Sequence, residues 1–181
     1  MEAGQTERDS DLAAVFDDHV AAEFVTMDLD ATMATMTHDP YVNHVPVMTG
    51  GVGFEGVRRF YGDHFIGKWP QDTEITPVSR TVGEDQVVDE LVLSFTHDID
   101  MPQLLPGVAP TGRHVQLPFC VVVGFEDGKV AHEHIYWDQA SLLVQIGLLD
   151  PAELPVTGAE QAANVLDARA NPLNELIRSR R

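Results

Sequence analysis

Carboxylates inside apolar segments are the first groups of this sequence that could carry out chemistry. Glu133 lies in the run VAHEHIYW and Glu90 in the run VVDELVLSF. A carboxylate that faces an apolar pocket is a common proton acceptor in enzymes. The alternative is a carboxylate on the outer face of a sheet, paired across strands or in a dimer interface. Either residue is therefore a candidate for proton transfer, on condition that its strand turns it inward.

Histidines are the second such group, since seven of the eight lie between His38 and His134. A neutral imidazole accepts or donates a proton near pH 7. His44, His97 and His114 fall near the ends of predicted strands, where either a site or plain solvent exposure is possible.

The pair His132 and His134 forms an HxH motif, which on a strand places both imidazoles on one face. With Asp138 following, the spacing partly matches metal motifs in which imidazole and carboxylate hold Zn or Fe. The same alternation puts the pair on the face opposite Glu133, so the two sets cannot line one pocket. Surface or interface histidines are the alternative, and we expect no cofactor.

The elements that must position these groups follow from the periodicity. Helical spacing of apolar residues begins at Asp11 and continues, with a second short helix from Asp28, to Met36. The glycine-rich segment MTGGVGFEGV lacks a phosphate-binding spacing and predicts a flexible turn. The remaining predicted helices are Phe54–Phe65, Ser141–Leu149, Ala159–Ala168 and Pro172–Ser179. The predicted strands are Tyr41–Val47, Thr73–Thr81, Gln86–His97, His114–Phe125 and Lys129–Trp137.

Helices first and strands later are typical of the α+β class. A curved antiparallel sheet wrapped around N-terminal helices would leave a cavity for a small molecule. The Asp127–Gly128 pair between two apolar runs predicts a tight hairpin.

Composition excludes several partner classes. The 181 residues carry 11 Lys and Arg against 29 Asp and Glu, a net charge of -18. Nucleic acids and anionic membranes are bound by clustered basic residues, so neither is expected. The acidic N-terminal stretch does not match a secretion signal, and the single Cys120 suits a reducing compartment. We therefore expect a cytoplasmic protein.

The chain resembles the SnoaL-like polyketide cyclases of the nuclear transport factor two-like superfamily. The resemblance spans residues 11–149 and rests on an ordered series of motifs rather than on one piece. In sequence order these are FEGVRRFY, Trp69-Pro70, the strand ending at His97, PTGR, DGKV and WDQASLLVQIG. It implies a cone-shaped α+β barrel with a deep pocket, homodimers formed through the outer sheet face, and cofactor-free acid/base chemistry on an oily substrate.

One departure from the family pattern affects the mechanism. The family often has His and then Asp at the fifth and third positions before the residue equivalent to Asp138, and here these are Glu133 and Ile135. Isoleucine cannot transfer a proton, whereas Glu133 lies on the same strand face two residues away. Glu133 either takes over proton transfer or the chain has lost catalysis.

The resemblance also indicates where the pocket lies. It implies Glu133 as base, with His44 and His97 orienting the substrate or stabilising an enolate. The expected pocket-lining residues are Glu90, His114, Trp137, Ile135 and Tyr41.

Three functions follow as hypotheses. The first is a cyclase, isomerase or dehydratase acting on a hydrophobic carbonyl compound. The second is a non-catalytic ligand-binding or dimerisation domain of the same fold, and the third is a metal-dependent enzyme that uses His132 and His134. We expect a disordered segment over residues 1–10, a SnoaL-like domain over 11–150 and a helical extension over 151–181.

Overall fold

The described part of the chain forms six α-helices and one six-stranded sheet. The computed structural model describes the backbone of residues 2–178 and the side chains of residues 12–178. The helices are α1 Glu2–Phe24, α2 Leu29–Ala34, α3 Gly53–Phe60, α4 Gln139–Gln145, α5 Glu160–Leu166 and α6 Glu175–Arg178. The strands are β1 Met36–His44, β2 Thr49–Val52, β3 Glu74–Val82, β4 Gln86–Thr96, β5 His114–Glu126 and β6 Lys129–Trp137. A π-helical turn, Tyr61–Phe65, continues α3.

The predicted α+β class with a curved sheet is confirmed, although the sheet is open rather than a closed barrel. Its strand order is β2-β1-β6-β5-β4-β3, so β2 and β3 are the two edges. The expectation of a fully antiparallel sheet is wrong at one place, because β1 and β6 pair in parallel. Four other strands separate them in the sequence, and such a long connection permits the parallel direction that a hairpin would forbid.

The four predicted strands from residue 73 onward end within two residues of the observed bounds. Asp127 and Gly128 both have positive φ, 51° and 72°, as expected for the predicted hairpin turn. The glycine-rich segment contains strand β2, which the sequence analysis missed. Gly50 (φ 145°) lies so close to β1 that a Cβ there would collide with the Val42 carbonyl. Glycine at this point therefore allows β2 to pair with β1.

Alternation along β6 decides what each side chain faces. Glu133 and Ile135 are buried on the concave side, whereas the next residue, Tyr136, points to the outer face and is 41% exposed. Helix α1 packs across this concave side and buries Phe16, His19 and Glu23. The core therefore encloses three polar groups of α1 and β6 among apolar side chains.

The C-terminal segment packs beside β4 and β5. The side-chain amide of Gln145 accepts a hydrogen bond from the backbone N–H of Gln116 on β5 at 2.8 Å and donates one to its carbonyl at 2.9 Å. Ala162 of α5 is fully buried. Helix α1 begins at Glu2 rather than at Asp11. The division into three segments stays a prediction, and the predicted end of the last helix at Ser179 lies outside the described residues.

None of the described helices is both long enough and apolar enough to span a bilayer.

Candidate functional site

A cavity of about 570 Å³ lies between α1, the π-helical turn and strands β3 to β6. Most of its wall is apolar, and polar side chains gather at its inner end and at its mouth. The apolar wall includes Phe16, Val20, Phe24, Phe65, Trp69, Leu91, Leu93, Leu104, Phe119, Val121 and Ile135. A volume of this size accommodates a small hydrophobic molecule.

Three buried ionisable side chains meet at the inner end of the cavity. Nε2 of His19 lies 2.7 Å from Oε1 of Glu133 and 3.1 Å from Oε1 of Glu23. His19 is fully buried, and each carboxyl group is 5% exposed. His19 and Glu23 are one helical turn apart on α1, so the helix presents both to β6. We call this group the His19 cluster.

Hydrogen bonds around the His19 cluster fix the orientation of the imidazole. The hydroxyl of Thr35 donates to the carbonyl of Thr32 at 2.7 Å, so its oxygen accepts from Nδ1 of His19 at 2.6 Å. The Nδ1 hydrogen is thereby assigned, and Nε2 points towards the two carboxyl groups. On the other side, Tyr61 donates its hydroxyl hydrogen to Oε1 of Glu133 at 3.3 Å.

Burial and charge act in opposite directions on His19. Burial disfavours the charged imidazolium, but the carboxylates of Glu23 and Glu133 outweigh it and raise the pKa of His19 to about 10. For the two acids burial acts in the other direction, because it disfavours their charged forms. It raises the pKa of Glu23 and holds the pKa of Tyr61 well above its usual value. His19 is therefore a cation in this environment, and Tyr61 is a neutral phenol.

His44 is the other polar group near the inner end. Its Nδ1 donates to the carbonyl of Gln103 at 3.0 Å, which leaves Nε2 as a hydrogen-bond acceptor. Burial lowers the pKa of His44, so the imidazole is neutral. The rings of Phe60, Phe65 and Trp137 surround it edge-on.

A charged bracket crosses the mouth of the cavity. Arg80 on β3 binds Asp89 through Nε and Nη2, at 2.6 and 2.7 Å, and donates from Nη1 to Asp17 on α1 at 2.8 Å. Its guanidinium also lies over the ring of Phe16. Glu90 lines the same rim, so Arg80 is surrounded by three carboxylates. The net negative charge at the mouth disfavours anionic ligands.

Four of the eight residues named from the sequence line this cavity: Glu133, His44, Ile135 and Glu90. Their catalytic or binding roles stay predictions. Glu90 belongs to the exposed rim and accepts a hydrogen bond from Ser79 at 3.1 Å.

His97 and Trp137 are buried but do not line the cavity, contrary to expectation. His97 follows β4, and its Nδ1 pairs with Thr111 at 3.2 Å, so it anchors the proline-rich loop. Trp137 packs behind His44, stacks on Phe119 and donates to Gln139 at 2.6 Å.

Tyr41 and His114 are also outside the cavity, for reasons of strand alternation. Val42 and Val115 take the inward positions on β1 and β5, so their neighbours Tyr41 and His114 turn outward. His114 pairs with Ser94 at 3.0 Å. Neither Tyr41 nor His114 lines this cavity, and their expected binding role stays a prediction.

The HxH pair lies on the outer sheet face, as alternation predicts. His132 stacks on Tyr41 with ring centroids 5.0 Å apart, and His134 lies 5.1 Å from His132. Asp138 is occupied as the N-cap of α4, accepting from Ala140 and Ser141. This capping role engages the carboxylate of Asp138, so the pair does not have it as a third ligand.

Sequence analysis missed His19, Glu23 and Tyr61 as site residues. His19 lies among the apolar residues of the predicted first helix, where its position is typical of the core. A usable signal was present, because Glu23 follows His19 by four residues and falls next to the same apolar residues. An imidazole and a carboxyl one turn apart on a buried face require a polar environment in the core.

Comparison with models of protein families shows which family this chain belongs to. The model of the SnoaL-like domain matches residues 13–133, more than half of the chain. The chain belongs to the SnoaL-like family. No protein with curated function matches it in sequence.

Several solved structures of SnoaL-like and related proteins share the fold. One, assigned as a SnoaL-like polyketide cyclase from Jannaschia sp. CCS1, is 22% identical with a TM-score of 0.61, covering 81% of this chain and 95% of its own. AclR from Streptomyces galilaeus, assigned as a hydroxylase, is 23% identical with a TM-score of 0.58, covering 78% and 98%. A protein with a ketosteroid isomerase-like fold from Catenulispora acidiphila, in complex with trimethylamine, is 14% identical with a TM-score of 0.55, covering 75% and 93%. At these identities the likeness shows the fold alone.

Proposed function

We propose that this SnoaL-like chain is an enzyme that removes a proton from a carbon beside the carbonyl of a hydrophobic substrate. Cyclisation, isomerisation and dehydration all begin with such a step. One observation carries the proposal, namely that the side chain of Glu133 lies at the inner end of a cavity whose wall is mostly apolar. A cavity of this kind binds the oily part of a substrate and excludes water from the reacting carbon.

The contacts of Glu133 assign the atoms of the step. His19 holds Oε1, so Oε2 is the oxygen left to accept the proton. The C–H bond breaks, an O–H bond forms on Glu133, and the electron pair moves to the carbonyl oxygen to give an enolate. Positive charge on His19 and the hydroxyl of Tyr61 are the nearby groups that stabilise negative charge at this end.

His44 has an orienting role in this mechanism. Since its Nδ1 hydrogen is engaged by Gln103, its Nε2 accepts a hydrogen bond from a hydroxyl of the substrate or of the enol. We thus assign His44 to substrate orientation and leave His97 out of the mechanism.

The competing function is a ligand-binding protein of the same fold without catalysis. The observation that favours it is Ile135, an inert side chain at the position where the cyclases carry an acid. Binding and catalysis use the same cavity, so a test must separate affinity from turnover.

Exchange of α-protons with solvent deuterium separates the two functions without knowledge of the product. We would incubate the full chain with 2-tetralone, a neutral bicyclic ketone, in D2O and follow loss of the α-proton signals by NMR. We expect exchange above the buffer rate for the natural sequence and loss of that excess, at least 100-fold, for Glu133→Gln.

Glu126→Gln is the matched control, because Glu126 is an exposed carboxyl at the hairpin end of β5. It should exchange 2-tetralone at the rate of the natural sequence. Binding of the ketone without excess exchange would contradict the enzyme proposal and favour the ligand-binding protein.

We further propose a cytoplasmic homodimer that uses the outer face of β1 and β6. This part of the sheet carries Tyr41, His132, His134 and the 41% exposed Tyr136, whereas α5 packs beside β4 and β5. Sedimentation velocity should give twice the chain mass of 19.9 kDa. Tyr136→Glu should shift the population to the monomer, because it places a charge in the interface.

A further inference from the structure

The His19 cluster has the donor set and spacing of a metal site. Nε2 of His19, an oxygen of Glu23 and an oxygen of Glu133 all lie within 4.8 Å of one another. Two donor atoms bound at about 2.1 Å around one tetrahedral ion are about 3.4 Å apart. The separations from Nε2, 2.7 and 3.1 Å, would therefore widen by roughly 0.3 to 0.7 Å when the ion binds.

One carboxylate oxygen of the His19 cluster has no hydrogen bond from the described residues. Oε1 of Glu23 is buried and has no hydrogen-bond donor among the side chains that the structure describes. Nε2 of His19 has at most one hydrogen to give, and its hydrogen bond in the structure is to the hydroxyl of Tyr61, at 3.2 Å. A buried carboxylate oxygen without a partner is costly, and a cation beside it removes that cost.

The tautomer of His19 agrees with a metal ligand. Thr35 holds the Nδ1 hydrogen, so an ion that displaces the Nε2 proton meets a lone pair that faces the carboxylates. Metal-binding histidines are commonly held in this way by an outer oxygen on the other ring nitrogen. With a neutral imidazole the two carboxylates carry a charge of −2, which one divalent ion balances.

We propose that His19, Glu23 and Glu133 form a binding site for one divalent transition-metal ion of the zinc type, open to the cavity. An imidazole with two carboxylates suits Zn²⁺, and the cavity side supplies the remaining coordination positions. The proposal is independent of the reaction proposed above. Bound metal would occupy Glu133, so the metal-loaded and the proton-transferring forms are alternatives.

Calorimetric titration with ZnCl2 tests the site on untagged full-length protein that has been treated with EDTA and dialysed. We expect one Zn²⁺ per chain with a Kd in the micromolar range or below. Glu23→Gln keeps the shape of the side chain, removes one ligand, and should weaken binding at least 100-fold.

The matched control is the double variant His132→Ala/His134→Ala, which removes two imidazoles from the outer face. It should bind Zn²⁺ as the natural sequence does. Loss of binding in this variant, or equal binding in the natural sequence and Glu23→Gln, would overturn the proposal, as would no binding to the natural sequence.

X-ray absorption at the zinc edge, on the natural sequence, covers the case in which Glu23→Gln does not fold. One imidazole with two or more oxygen donors supports the site, and two imidazoles refute it. These readouts do not involve turnover, so failure of the metal site leaves the exchange experiment with 2-tetralone unaffected.

Discussion

Nε2 of His19 lies 2.7 Å from Oε1 of Glu133, and this contact joins helix α1 to strand β6 inside the core. Neither side chain is accessible enough for water to screen the pair, since His19 is 0% and Glu133 5% exposed. The contact therefore links the stability of the fold to the candidate site.

The first prediction concerns the pH dependence of stability in metal-free protein. The pKa of His19 is about 10 in the fold against 6.5 in the unfolded chain, so between these values the folded state holds the extra proton. The contribution of His19 is fully present below pH 6.5 and is lost as the pH rises towards 10. We expect the free energy of unfolding to fall by an amount on the order of a few kcal/mol across this window.

Urea unfolding at pH 6.5, 8 and 9.5 in EDTA measures this change. The double variant His19→Gln/Glu133→Gln, which lacks the charged pair, should show a flatter dependence. A natural sequence with constant stability from pH 6.5 to 9.5 would mean that His19 is neutral in the fold.

The second prediction concerns Tyr61. Tyr61→Phe keeps the ring packed against Phe60 and Phe65 but removes the hydroxyl that contacts His19 and Glu133. We expect deuterium exchange of 2-tetralone to slow about tenfold or more, with affinity nearly unchanged, because the hydroxyl stabilises charge that develops during proton transfer. Equal loss of affinity and rate would instead assign the hydroxyl to ground-state binding.

The third prediction tests the cavity through two adjacent residues of β5. Val121 lines the cavity, and Val122 points to the other sheet face opposite His134. Val121→Phe should lower the affinity for 2-tetralone at least tenfold by filling the space, with a change of stability of about 1 kcal/mol or less. Val122→Phe adds the same volume on the outer face and should leave the affinity unchanged. If both variants bind alike, the ketone occupies a different place.

The fourth prediction concerns the close contact of Gly124 and His132. A Cβ on Gly124 would meet the imidazole of His132, so Gly124→Ala must displace this ring from its stack with Tyr41. We expect a loss of about 1 kcal/mol in stability from the displaced stack. In a His132→Ala background the same change should stabilise by about 0.5 kcal/mol, because alanine is better than glycine in a strand. An identical effect in both backgrounds, measured by thermal unfolding, would exclude the coupling.

Strands with strong periodicity were predictable, and the site was predictable only where it depends on them. The strand bounds of β4 to β6 and the facing of Glu133 against His132 and His134 follow from a period of two and from the Asp127–Gly128 turn. Glu133 was identified for that reason, whereas His44 was identified from its place near a strand end and from the family resemblance.

The remaining site residues depend on which surface of α1 meets which strand, and local sequence does not contain this information. His19 reads as one more position of an apolar helical stripe until β6 is seen to place Glu133 against it. His97 and Trp137 show the opposite error, since each is buried at a strand end but belongs to loop or core packing rather than to the cavity.

Strand β3 is both an edge of the sheet and a wall of the cavity. Eight of its nine residues are exposed, and Ile75 and residues 77–80 form one side of the cavity. Edge strands exchange their amide hydrogens through local opening that leaves the central strands intact. A ligand can thus enter by transient detachment of this edge while β5 and β6 keep Glu133 in place. A bound ligand should then slow amide exchange along β3 and leave exchange in the central strands unchanged.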